Sequence, residues 1–149
     1  MDHPVAVASG TEWGDVGVEP GGVSVRITVA VIPKPGGDAY HHGDPVPCKG
    51  TLSWQGVEPP QEVLVFLYPG LFPGPNLPSC WEASVPVEVI SKDQDSRYGI
   101  AEWEVSPRAN RASGIDDYHI EARPVAQGFR SYHHKGTPIR AVARLTITR

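Results

Sequence analysis

The stretch Val23-Ser24-Val25-Arg26-Ile27-Thr28-Val29-Ala30-Val31 alternates apolar side chains with polar or small ones without a break. Residues two apart on a β-strand point to the same face, so the pattern reads as a strand with one buried face. The same stripe returns near the end of the chain in Ile139, Ala141, Ala143, Leu145 and Ile147. Five further runs lie between them, at about 46–54, 62–68, 85–90, 98–106 and 115–123, and no segment has helical spacing. About seven short strands with turn signals between them predict an all-β fold closed as a two-sheet antiparallel sandwich.

The runs also predict faces. Cys48, Gly50, Leu52 and Trp54 share the inner side of the second run, with Lys49, Thr51 and Ser53 opposite. Val63-Leu64-Val65-Phe66-Leu67 does not alternate, which is expected of a central strand covered on both sides. Val85, Val87 and Val89 read as the inward stripe of a single strand, and Ala101, Trp103 and Val105 as that of the next, with Glu102 and Glu104 in solvent. Tyr118, Ile120 and Ala122 face inward, so His119, Glu121 and Arg123 face out. Arg140, Arg144 and Arg149 mark the last strand as a charged edge, where charge discourages stray pairing.

Composition narrows the partners. Thirteen basic and seventeen acidic residues in a chain of 149 give a net charge of −4, without a basic block. That argues against nucleic acid or an anionic membrane surface. Sixteen glycines and sixteen prolines fall between the apolar stripes and punctuate turns. No apolar run approaches the ~20 residues of a membrane helix, and Met1-Asp2-His3-Pro4 has neither the basic start nor the apolar core of a secretion signal. The expectation is a protein made and used without export.

Residues 1–22 differ from the rest, with Gly10, Gly14, Gly17, Gly21 and Gly22 and only weak alternation. They read as an extended N-terminal arm, with room for a short strand over 5–8, ahead of a single domain at 23–149. Such an arm stays frayed unless a surface holds it, on its own domain or on a neighbouring chain. Trp13, its one large apolar side chain, is the natural anchor.

The segment Gly114-Ile115-Asp116-Asp117-Tyr118-His119-Ile120-Glu121-Ala122 resembles the penultimate strand of bacterial and phage immunoglobulin-like domains, a glycine corner followed by Tyr-x-Ile-x-Ala. Arg97-Tyr98-Gly99-Ile100-Ala101-Glu102-Trp103 is similar to the strand before it, and Ala143-Arg144-Leu145-Thr146-Ile147 to the closing strand. The resemblance implies that Tyr118 forms a tyrosine corner, its hydroxyl bonded to nearby backbone. Ile120 stands where antibody-type domains carry their second bridging cysteine.

Chemistry-bearing residues are few. Tyr-His-His occurs twice, at 40–42 and 132–134, so His41, His42, His133 and His134 are the candidate metal ligands, with Asp38 and Asp44 nearby. Neighbouring residues on an extended backbone point in opposite directions, and the two turns belong at opposite ends of a sandwich, so solvated turn histidines are the favoured reading. No nucleophile elbow, zinc-protease helix or complete calcium loop is present, and no cofactor is expected. Cys48 and Cys80 leave a disulfide open as one alternative and two separate thiols as the other.

Pro69 to Trp81 is the remaining candidate. Four prolines in a long loop hold Leu71, Phe72, Leu77 and Trp81, large apolar groups suited either to anchoring a partner or to covering the open sandwich edge. The expectation is a non-enzymatic attachment protein that binds protein subunits, a phage capsid or its own copies, through the arm and this loop, as a virion decoration or cement protein. The alternative is an extracellular or cell-surface module for glycan or protein, with Cys48 and Cys80 bridged.

Overall fold

The computed structural model describes residues 12–15, 24–37, 39–70, 78–109, 117–134 and 137–148, with 12–15 as backbone only. Its strands are β1 (Glu12–Asp15), β2 (Ser24–Val31), β3 (Tyr40–His41), β4 (Cys48–Gln55), β5 (Glu62–Pro69), β6 (Trp81–Pro86) and β7 (Glu88–Lys92). They continue with β8 (Tyr98–Val105), β9 (Asp117–Ala126), β10 (Arg130–Ser131), β11 (His133–His134), β12 (Thr137–Pro138) and β13 (Ala141–Thr148). Among the described residues there is no α-helix, so the fold is all-β, as the alternation requires.

Two main sheets carry the structure. The first has the order β1-β2-β4-β8-β7 and the second β3-β13-β9-β5-β6, with β10 folded back on β9. Neighbours are antiparallel, except that β3 runs parallel to the end of β13. The inward stripes meet between the sheets: Ile27, Val29, Leu52 and Trp54 from one side, Val65, Leu67, Ile120 and Leu145 from the other. Each such aliphatic side chain, fully buried, contributes roughly 1.5–3 kcal/mol.

Tryptophan and glycine set the packing at the centre of the first sheet. The register places Trp54 of β4 opposite Gly99 of β8, and Gly50 of β4 opposite Trp103 of β8. Each indole lies over the facing glycine: a methyl on Gly50 would stand 2.6 Å from the Trp103 ring and 1.9 Å from the Thr28 carbonyl oxygen. A methyl on Gly99 would stand 2.3 Å from the Trp54 ring. Cross-strand neighbours of this kind are the unit of sheet stabilisation. Trp54 also donates its indole N–H to the carbonyl of Ser96 at 2.9 Å, which ties the core to the turn before β8.

Three expectations change, and the arm gains a strand that its pattern does not announce. The run 85–90 is two strands: β6 pairs with β5 in the second sheet, and after Val87 the chain crosses to pair as β7 with β8 in the first. Alternation continues through the crossing, so it left no mark in the pattern. Strand β5 alternates between buried Val63, Val65 and Leu67 and half-buried Leu64, Phe66 and Tyr68, so its outer face is only partly covered. Within the arm, β1 pairs in register with β2 from Glu12 opposite Val29 to Asp15 opposite Arg26, whereas the strand expected at 5–8 lies outside the described residues. Strand β13 has β9 on one flank and the two-residue β3 on the other, so it is an edge for only part of its length.

Candidate functional site

The predicted contact residues divide. Leu71, Phe72 and Leu77 lie outside the described residues, and of Trp13 only the backbone is described, opposite Thr28. Trp81 opens β6 opposite Leu67 and packs, half-buried, against the hydrophobic core.

Both ends of the proline-rich loop are fixed to the second sheet. Gly70 adopts φ +97°, a left-handed conformation that suits glycine. Its N–H donates to the Asp117 carbonyl at 2.6 Å, and its own carbonyl lies 2.8 Å from Nδ1 of His119. At the far end the N–H of Cys80 donates to the Leu67 carbonyl at 2.9 Å.

Sequence alternation puts His119 and Glu121 on the outer face of β9, and both are there, but each is only 1% exposed. Phe66, Tyr68 and His119 stack across β5 and β9, with centroids 5.9 Å and 5.1 Å apart and planes within 26° and 19°. The Arg123 guanidinium sits 5.0 Å from the Phe66 ring centre. Glu121 uses both oxygens: Oε2 accepts from Nε of Arg123 at 2.6 Å, and Oε1 from Nη1 of Arg140 at 2.7 Å. A carboxylate so engaged is a structural ion rather than a general base. His119 donates from Nδ1 to the Gly70 carbonyl, which leaves Nε2 a buried acceptor without a partner among the described residues. No signal in the alternation distinguished this layer from an ordinary wet face.

The two Tyr-His-His turns are separated by the length of β13. His41 Nδ1 lies 3.0 Å from the Thr148 hydroxyl at its end, while His133 sits in the β11–β12 hairpin that leads into its start. His42 Nε2 lies 2.9 Å from the Tyr118 hydroxyl, so the tyrosine expected to form a corner meets a histidine from the first turn. The corner segment, residues 110–116, lies outside the described residues, as does the side chain of His134. Asp44 accepts from the His41 N–H at 2.9 Å and from Nζ of Lys34 at 3.0 Å, and these bonds hold its carboxyl below the ordinary range. Among the described residues, no three His, Cys, Asp or Glu side chains gather where a metal would bind.

The cysteines are free thiols, Cys48 within the first sheet and Cys80 just ahead of the second sheet's β6. Cys48 is buried on β4, where desolvation pushes its thiol up to about 12, and Cys80 is exposed beside β6. The bridge carried by the extracellular alternative is absent.

The first sheet presents a different surface. Its outer face holds an open concavity of about 670 Å³ lined by Thr28, Lys49, Thr51, Glu88, Glu102 and Glu104, among others. Beside it, β7 is exposed along its whole length and, among the described residues, pairs with β8 alone. Val89, Ile90, Tyr98 and Ile100 are the large apolar side chains left in solvent around that edge, Ile90 and Tyr98 at 54% exposure. The adjacent Val89-Ile90 doublet, which interrupts the valine alternation, was the available sequence signal for this edge. No protein-family model, curated protein or solved structure matches the chain.

Proposed function

We propose that this chain is a non-enzymatic attachment module of immunoglobulin-like topology, which binds neighbouring protein subunits through its arm, its sheet edge and its proline-rich loop. The strand orders support the topology: β2-β4-β8-β7 and β13-β9-β5-β6 correspond to the A-B-E-D and G-F-C-C′ sheets of that fold. In this reading β3 continues the first strand after its crossing to the opposite sheet.

One observation carries the function: the arm supplies a strand, β1, to the open edge of β2. Edge addition of this kind gains main-chain hydrogen bonds without a prepared pocket, and an arm long enough to reach its own edge can reach an equivalent one on a neighbour. The setting we propose is the outside of a phage capsid, which the protein decorates. Co-sedimentation of the full chain and of a form lacking residues 1–22 with assembled capsid shells tests this. The full chain pellets with the shells and the truncated form stays in solution. Equal pelleting of the two, or no pelleting of either, overturns the reading.

A further inference from the structure

We propose that the outer face of the first sheet docks an extended basic segment of a partner protein, apolar at one end and bearing lysines or arginines at the other. The face is separate from the proline-rich loop, and the inference does not depend on what the arm attaches to. One stripe defines it. Tyr98, Ile100, Glu102 and Glu104 occupy alternate positions of β8, so all four side chains point the same way. The register sets Lys49 of β4 beside Glu104 on that face, and Glu88 of β7 beside Glu102. Along β8 the face therefore begins apolar and ends acidic. Tyr98 is 54% exposed and Ile100 43%, whereas Ala101 and Trp103 on the inward side are buried.

The charges select the occupant. Glu88, Glu102 and Glu104 line the open concavity, with Lys49 as the one cation among its described lining residues. Glu88 and Glu102 stand directly opposite each other, and like charges so placed are destabilising. Among the described residues none of the three carboxylates has an ion-pair partner, and Lys49 closes no pair with Glu104. A cation on this face relieves the repulsion, whereas an anion adds to it. Alternate residues of a strand are roughly 6.5 Å apart, and the same spacing holds in any extended segment laid along it. Lysines or arginines at every second position of that segment therefore meet Glu102 and Glu104 in turn.

Two further features fit a peptide rather than a bare cation. Continued along β8, the same segment carries apolar residues onto Ile100 and Tyr98, which a metal ion or a polyamine would leave in water. Trp103 also belongs to the lining of the concavity, and its buried indole N–H has no acceptor among the described residues. A peptide brings backbone carbonyls to that lining, and a bare cation brings no acceptor. Among the described residues no three His, Cys, Asp or Glu side chains gather closely enough for a metal, so the carboxylates suit separate ammonium or guanidinium groups. One stripe and an open concavity give a small contact, below the roughly 1,200–2,000 Å² of stable complexes. The affinity is therefore expected in the micromolar range, and it falls as salt is added.

Fluorescence polarisation of short labelled peptides against the full chain is the test. Leu-Ser-Leu-Ser-Lys-Ser-Lys is expected to bind, and its counterpart with glutamates in place of the lysines is not. The interleaved Leu-Ser-Lys-Ser-Leu-Ser-Lys has the same composition but sets a lysine on an apolar position whichever way it lies, so it binds several-fold more weakly. Glu102→Gln with Glu104→Gln weakens binding about tenfold, and Ile100→Ser weakens it several-fold. Lys49→Ala tightens binding, an effect that loss of structure cannot produce. Glu88→Gln weakens binding yet raises the thermal midpoint of the free chain, because it relieves the facing pair. No binding of the first peptide, equal binding of the glutamate or interleaved peptide, or a Lys49→Ala variant that binds no tighter overturns the proposal. So does a native chain that covers this face by pairing with itself, which sedimentation of the free protein reports.

Discussion

At the scale of single residues, the centre of the first sheet depends on what Gly50 and Gly99 lack. The atom a methyl on Gly50 would strike first is a backbone oxygen, that of Thr28 at 1.9 Å, so the clash cannot be relieved by a side-chain rotation. Gly50→Ala is expected to cost about 3 kcal/mol, the upper end of overpacking. Gly99→Ala meets the Trp54 ring first, at 2.3 Å, and a backbone oxygen, that of Ser91, only at 2.9 Å, so it is expected to cost less. Urea denaturation of the two variants checks the order, and equal losses would count against it. Glu121 makes a second case. Its side chain is 2% exposed between two arginines, and removing one leaves the other in place. Arg123→Ala with Arg140→Ala leaves a buried carboxylate without a cation, which costs about 3–5 kcal/mol. Each single variant should cost well under half of that. Cys48 gives a pH dependence with a definite sign. Burial raises its thiol from the ordinary value of 9.0 to about 12, so the folded state holds its proton after the unfolded state has lost it. Its contribution to stability is full below pH 9 and is lost as pH rises from there toward 12. Cys48→Ala should flatten the alkaline limb of the stability curve relative to the native protein.

At the scale of elements, the sequence was legible wherever a strand has one dry face and one wet one. Strands β2, β4 and β8 were found with their faces, because Val25-x-Ile27-x-Val29 and Ala101-x-Trp103 are unambiguous period-two stripes, whereas β13 showed only its inner stripe and buries Val142 and Thr146 on the other face as well. It failed at Val87, since a strand that changes sheets keeps its alternation while it changes partners. It failed in the arm because β1, Glu-Trp-Gly-Asp, has one large apolar residue and takes its order from the backbone of β2 rather than from a stripe of its own. The candidate site was legible in part. The loop was read from its prolines, but its tether was not, since His119 looks like any outward polar residue until Gly70 is brought to its Nδ1. That tether can be separated from the stack that supports it. His119→Phe keeps a ring against Tyr68 and removes the donor to Gly70. Limited proteolysis between residues 70 and 80 is expected to rise several-fold, with little change in thermal midpoint. Unchanged cleavage would show that the Gly70 N–H bond to Asp117 fixes the loop by itself.

At the scale of the whole molecule, what matters is how many edges each first sheet leaves open. Its two outer strands are β1 and β7, and β1 comes from the arm. While β1 covers β2, the backbone groups along that side of β2 are met within the chain. Removal of residues 1–22 takes away the four-residue β1 and bares the eight-residue β2, a longer edge whose N–H and C=O groups are open to pairing with a second copy. The truncated chain is expected to fold, because the inward stripes of β2, β4, β8 and the second sheet are intact, and to form soluble pairs joined at β2 as its concentration rises. A synthetic peptide of residues 1–22 should return the truncated protein to the native assembly state by capping β2 in trans. Light scattering on a sizing column follows all three forms. A truncated chain that stays the same size as the native protein at every concentration would mean that β1 is not what keeps the β2 edge closed.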